Sequence, residues 1–125
     1  MTRPNRILAV DDVEANLEIL TEILGEEFSL ETAMSGEEAL EKASRFRPDI
    51  ILLDVMMPGI DGYETCTRLR ERPDLRQTKI IMVSAKAMVE ERLAAYRVGA
   101  DDYLVKPFEE AELLAKVQVF LRLKS

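Results

Sequence analysis

Two hydrophobic periods alternate along this chain. Arg6-Ile-Leu-Ala-Val10 is a continuous apolar run that ends in Asp11-Asp12, the pattern of a buried parallel strand. Phe28 to Ala33 sets Phe28, Leu30 and Thr32 against Ser29, Glu31 and Ala33, the two-residue period of a second strand. Asp49-Ile-Ile-Leu-Leu53 is the most hydrophobic run and the predicted central strand, with Asp54 at its carboxyl end. Lys79-Ile-Ile-Met-Val83, followed by Ser84, and Tyr103-Leu-Val105, followed by Lys106-Pro107, complete five. Helical spacing fills the intervals. From about Val13 to Leu24 it puts Leu17, Leu20, Ile23 and Leu24 on one face, and Gly25 stops the helix. Ser35 with Glu38 three residues on is a capping box, and it opens a helix carrying Ala39, Leu40 and Ala43 that Pro48 ends. Met57-Pro-Gly-Ile-Asp-Gly62 reads as a loop. Further helices run from about Tyr63 to Glu71, closed by Pro73, and from about Val89 to Val98, ended by Gly99. The last, from about Glu110 to Leu123, turns Leu113, Leu114, Val117, Phe120 and Leu121 inward.

Strict strand–helix alternation predicts parallel strands joined by right-handed crossovers, with helices on both faces of one doubly wound sheet. The expected order is 2-1-3-4-5, an α/β architecture in which the first and third strands are neighbours. At 125 residues the chain is one domain's worth, residues 1–125. Ligands of such sheets bind beyond the carboxyl ends of the strands. Asp11, Asp12, Asp54, Ser84 and Lys106 all fall on that edge, after four different strands.

Composition removes several kinds of chemistry. With 24 acidic residues against 17 basic ones the net charge is −7, and a direct nucleic-acid footprint is not expected. The chain has no histidine, so it can build no catalytic triad, zinc–histidine site or phosphohistidine of its own. Cys66 is the sole cysteine, which excludes an internal disulfide and points to a packed thiol in a reducing compartment. The Met-Thr-Arg-Pro-Asn-Arg start leads straight into a strand-like run, without a signal peptide or a membrane-length apolar stretch, so a cytoplasmic location is expected.

Three carboxylates gathered at one edge repel one another and call for a cation. Oxygen ligands without His or Cys favour Mg²⁺, which binds one or two carboxylates and leaves room for phosphate oxygen. A carboxylate there can act as nucleophile in an in-line phosphoryl transfer, with Lys106 neutralising charge and Ser84 donating a hydrogen bond. Each residue also has a plainer role. An acid at a strand end can cap the next helix, Ser84 can cap the fourth, Lys106 can be a loop lysine, and Met56 and Met57 read as core or lining residues.

Asp11-Asp12, Leu53-Asp54-Val-Met-Met-Pro-Gly59, Ser84-Ala85 and Lys106-Pro107, in this order and across nearly the whole chain, resemble the receiver domain of two-component response regulators. That resemblance implies a flavodoxin-like fold and a phosphorylation switch. It implies that Asp54 is the phosphoacceptor, that Asp12, Asp54 and the Met56 main-chain carbonyl bind Mg²⁺, and that Asp11 acts through a metal-bound water. Ser84 and Tyr103 would be the switch residues, Lys106 would pair with phosphate, and the bond before Pro107 would be cis. The phosphoryl donor would be a phosphohistidine on a sensor histidine kinase or a histidine phosphotransfer protein. The domain would catalyse only its own phosphorylation and dephosphorylation. Phosphorylation would shift a two-state equilibrium read out at the face of the fourth helix, fifth strand and fifth helix, by an output domain or a second copy. Arg92, Arg97, Asp102 and Lys116 supply charge on or near that face.

Competing readings are weaker. A haloacid dehalogenase-type phosphatase wants Asp-x-Asp after its first strand, a spacing that Asp11-Asp12-Val13 lacks. A flavodoxin-like electron carrier wants a phosphate loop after Val10 and an aromatic clamp, and the chain has no Trp. A phosphorylation-independent interaction module keeps the pocket but does not use it.

Overall fold

The computed structural model describes residues 5–123. Within them lie β1 (Arg6–Val10), α1 (Glu14–Leu24), β2 (Ser29–Ala33), α2 (Gly36–Phe46), β3 (Ile50–Asp54), α3 (Gly62–Arg70), β4 (Lys79–Ser84), α4 (Val89–Arg97), β5 (Asp102–Val105) and α5 (Glu110–Arg122), with a 3-10 turn at Pro73–Leu75. The sheet order is β2-β1-β3-β4-β5 and every adjacent pair is parallel, as the alternation predicts. The outermost positions of the 1–125 span, including most of the N-terminal stretch read for a signal peptide, lie outside the described residues. No helix among the described residues is long and apolar enough to cross a membrane.

The two-residue period of a strand sorts each apolar run onto both faces of the sheet. On β3, Ile51 and Leu53 face a core shared with α2, α3 and α4, through Leu40, Leu69 and Ala95. Ile50 and Leu52 face the other core, with Leu17, Leu20 and Leu24 of α1 and Leu113 and Val117 of α5. All five β3 residues are buried, as the central position requires.

Local details depart from the sequence pattern where backbone groups found nearer partners. Ser35 caps α2 by accepting from the Glu38 N–H at 3.0 Å, but the Glu38 carboxylate reaches back to the Met34 N–H rather than to Ser35. That bond lowers the Glu38 pKa. The loop before α3 ends one residue early, because Asp61 caps the helix by accepting from the Glu64 N–H at 2.9 Å. Gly25 closes α1 in a right-handed conformation, so it serves by lacking a side chain against the Thr21 carbonyl and not by a left-handed turn. Ser84 caps no helix; α4 starts five residues later, after Met88.

Candidate metal centre at the carboxyl edge of the sheet

The register carries the chemistry to one place. Val10 pairs with Leu53, Asp54 with Val83, and Ser84 with Val105, so the four strands end nearly level. Asp11 follows β1 directly, Asp54 ends β3, Ser84 ends β4 and Lys106 follows β5. Asp11, Asp12 and Asp54 each offer a carboxylate oxygen, and these oxygens all lie within 4.8 Å of one another. Asp11 and Asp54 are buried, and Asp12 is partly exposed at the mouth.

Lys106 answers two of these three acids. Lys106 Nζ donates to Asp11 Oδ2 at 3.0 Å and lies 3.7 Å from Asp54 Oδ1. Asp11 is further held by Asn16 Nδ2 at 3.1 Å and by the Val13 N–H at 2.9 Å. Burial pushes the Asp54 carboxyl up to about 6, against the attraction of Lys106; Asp11 and Asp12 push the same way as burial, while the Met56 N–H opposes them. At neutral pH Asp54 is therefore mostly ionised, and its charge is held at a cost. Hard oxygen donors, clustered negative charge and a partly open mouth match what Mg²⁺ requires, so the residues present fit that ion.

Ser84 is buried, and its Oγ accepts from the Lys86 N–H at 3.1 Å. Tyr103 is buried as well and donates its hydroxyl to the Lys86 carbonyl at 2.7 Å. Lys86 thus ties the loop after β4 to both expected switch residues. The Lys106–Pro107 bond is cis. Of the two methionines read as core or lining residues, Met57 is buried in the core while the Met56 side chain is 55% exposed: Val55 and Met57 fill the inward positions and leave Met56 on the rim.

The pattern reading missed Asn16 and Lys86, which act on the site through Asp11, Ser84 and Tyr103. Asn16 sits in the first turn of α1, where a polar residue is unremarkable in sequence, and Lys86 acts through its main chain, which leaves no sequence signal. Cys66 packs in the core with its Sγ 3.4 Å from the Val98 carbonyl, and burial pushes its thiol up to about 11, as expected for an inert thiol. Lys116 and Asp102 pair with each other at 2.8 Å, so two of the four charges expected on the α4–β5–α5 face already have a partner within the chain.

Known proteins share this arrangement. The profile of the response regulator receiver domain family matches residues 7–118. The chain is 42% identical over 120 residues to the response regulator PleD of Caulobacter vibrioides, covering 95% of this chain and 26% of PleD. It is 48% identical over 118 residues to the response regulator MprA of Mycobacterium leprae, covering 94% of this chain and 51% of MprA. The chain therefore spans about half or less of these relatives' length. Among solved structures, a putative response regulator from Chloroflexus aurantiacus superposes with a TM-score of 0.90 at 39% identity, over 96% of this chain and 99% of that one.

Proposed function

This chain belongs to the response regulator receiver domain family of two-component signalling, and on that premise we propose that Asp54 is its phosphoacceptor in a Mg²⁺-dependent transfer. The observation that carries the reading is the buried Asp54 carboxylate, set among two further acids with Lys106 bridging toward it. Asp12, Asp54 and the Met56 main-chain carbonyl would hold Mg²⁺, with Asp11 acting through a bound water. The ion supplies charge neutralisation for the transferring phosphoryl group and the carboxylates around it.

The residues of the chain do the rest. An Asp54 oxygen attacks phosphorus, the P–N bond of a donor phosphohistidine breaks, and its electron pair leaves with the imidazole nitrogen. The product is an acyl phosphate. Lys106 then exchanges Asp11 Oδ2 for a phosphoryl oxygen, the stronger and more doubly charged partner. Ser84 gives up its bond from the Lys86 N–H and turns its hydroxyl to another oxygen of the group. Because the Lys86 carbonyl also holds the Tyr103 hydroxyl, that move shifts the loop between β4 and α4 and biases the α4–β5–α5 face.

The proposed donors are a sensor histidine kinase or a histidine phosphotransfer protein, and the proposed readers of that face are an output domain or a second copy of the chain. The same reading makes residues 1–125 one receiver domain, located in the cytoplasm, that processes only its own phosphoryl group.

The test is intact-protein mass after incubation with acetyl phosphate, with and without Mg²⁺, for wild type and Asp54→Asn. A single phosphate adduct that needs Mg²⁺, is labile in base and is absent from the variant supports the reading. A wild type that takes no adduct from acetyl phosphate or from a phosphorylated histidine kinase would sink it, leaving a phosphorylation-independent interaction module.

A further inference from the structure

We propose that Gly62 is a positioning residue for the phosphoacceptor site: the absence of a side chain there lets α3 press on the backbone between Asp54 and the Met56 carbonyl. The claim rests on the proposed role of Asp54 and Met56, and deepens it.

A Cβ built on Gly62 would overlap the carbonyl oxygen of Asp54 and stand 2.7 Å from Val55 Cα and 3.1 Å from Asp54 C. All three obstacles are backbone, so none can swing aside as a long side chain would. The Gly62 N–H donates to the Val55 carbonyl at 2.9 Å, which shows that the approach is an attractive contact and not an accident of packing. The requirement is for room, since Gly62 lies outside the left-handed region that Gly59 and Gly99 occupy.

The start of α3 is itself fixed from two sides. Asp61 caps the helix through the Glu64 N–H, and the Thr65 hydroxyl donates to the Asp61 carbonyl at 2.7 Å. A methyl group at position 62 therefore cannot be absorbed by fraying the helix end without losing this cap. It must push the Asp54–Val55 peptide instead. That peptide lies between the two groups proposed to bind the ion, one a side chain before it and one a carbonyl after it. A displacement of about 0.5 Å is enough to spoil such a site.

Gly36 supplies the comparison. A Cβ there would overlap Thr65 Oγ1 and stand 2.6 and 2.9 Å from the Ile60 side chain, so it crowds the α2–α3 contact and leaves the Asp54 backbone alone.

The experiment compares Gly62→Ala with Gly36→Ala in the full chain. Both should lose stability in urea. Only Gly62→Ala should weaken Mg²⁺ binding, by about tenfold or more in calorimetry, the scale on which groups behind a metal ligand act. It alone should move the backbone amide shifts of residues 54–56 in metal-free protein. Gly36→Ala should keep Mg²⁺ affinity within about twofold. If Gly62→Ala matches Gly36→Ala in affinity and in those shifts, the proposal is wrong. Should Gly62→Ala not fold, amide exchange in wild type decides: the Gly62 N–H should be protected before Mg²⁺ is added, and loop-like exchange would overturn the idea. A wild type that binds no Mg²⁺ and takes no phosphoryl group would instead sink the reading of the site itself, a result distinct from wild-type affinity in the variant.

Discussion

The two edges of the sheet carry similar charged residues and treat them in opposite ways. At the amino edge, Arg70, Asp101, Asp49 and Arg6 spend their charge on main-chain groups. Arg70 of α3 donates to the Gly99 carbonyl at 2.9 Å, to the Thr78 carbonyl at 2.6 Å and to Asp101 Oδ2 at 2.7 Å. Asp101 also accepts from the Ile80 N–H at the start of β4, and Asp49 accepts from the Arg6 N–H at the start of β1, each at 2.8 Å. The Arg6 guanidinium reaches the Phe46 carbonyl at 2.8 Å, and the Thr78 hydroxyl closes on the Pro48 carbonyl at 2.9 Å. At the carboxyl edge three acids stand together with one lysine on two of them, and the most central is held above its ordinary pKa. One edge uses charge to satisfy the chain, and the other leaves charge in surplus, which the proposed ion and phosphoryl group would answer.

The sharpest way to break this contrast is Arg70→Ala. It removes the cation beside Asp101 and leaves main-chain carbonyls without donors at a partly buried position. A loss of about 2–4 kcal/mol in urea denaturation is expected. Mg²⁺ affinity should stay near that of wild type while the protein is folded. A loss below about 1 kcal/mol would show that the amino edge is not the structural one.

Asp54→Asn should do the reverse and stabilise the protein. The Asp54 pKa rises from 3.8 to about 6 on folding, so the folded state prefers the protonated acid. Its favourable contribution is complete below about pH 4 and is lost as pH rises through about 6. The variant should therefore gain about 1–2 kcal/mol over wild type at pH 8 in chelator, and nothing near pH 4. Saturating Mg²⁺ should shrink the gain, since it stabilises wild type more. A variant less stable than wild type at pH 8 without metal would mean that the surplus charge is not a burden on the fold.

How much of this contrast the sequence discloses follows from what each edge is made of. The carboxyl edge is legible because its acids and lysine stand immediately after apolar runs, where chain order alone puts them on one rim. The central strand and both cores are legible for the same reason, since alternate residues of a buried run must face opposite layers. The amino edge is not legible. Arg70 looks like an exposed helix charge, and its partners Gly99 and Asp101 lie 29 and 31 residues away, behind a turn and a helix. Lys86 escapes because it acts through main-chain atoms, and Gly62 because a glycine in a loop motif suggests a turn and not room for a neighbouring strand. Met56 and Met57 show the limit of hydropathy, which leaves core or lining open for both; the structure buries Met57 and sets Met56 on the rim.

The smallest expected effect discriminates most finely between the edges. Lys106→Met keeps much of the apolar stem and removes the cation that most strongly lowers the Asp54 pKa. The Asp54 carboxyl should then titrate above its wild-type value of about 6, which the pH dependence of its carboxyl resonance in metal-free protein would show. Because a folded pKa raised further is a further loss of stability once the acid ionises, the variant should trail wild type most above about pH 6, with a smaller part from the lost bond to Asp11. Lys106 is a quarter exposed and solvent screens it, so the deficit should stay within about 1 kcal/mol at pH 8. It should shrink toward pH 4, where the lost bond to Asp11 is what remains, and Mg²⁺ should restore part of it. A deficit as large as that of Arg70→Ala, and unchanged across this pH range, would place Lys106 among the structural charges and erase the difference between the two edges.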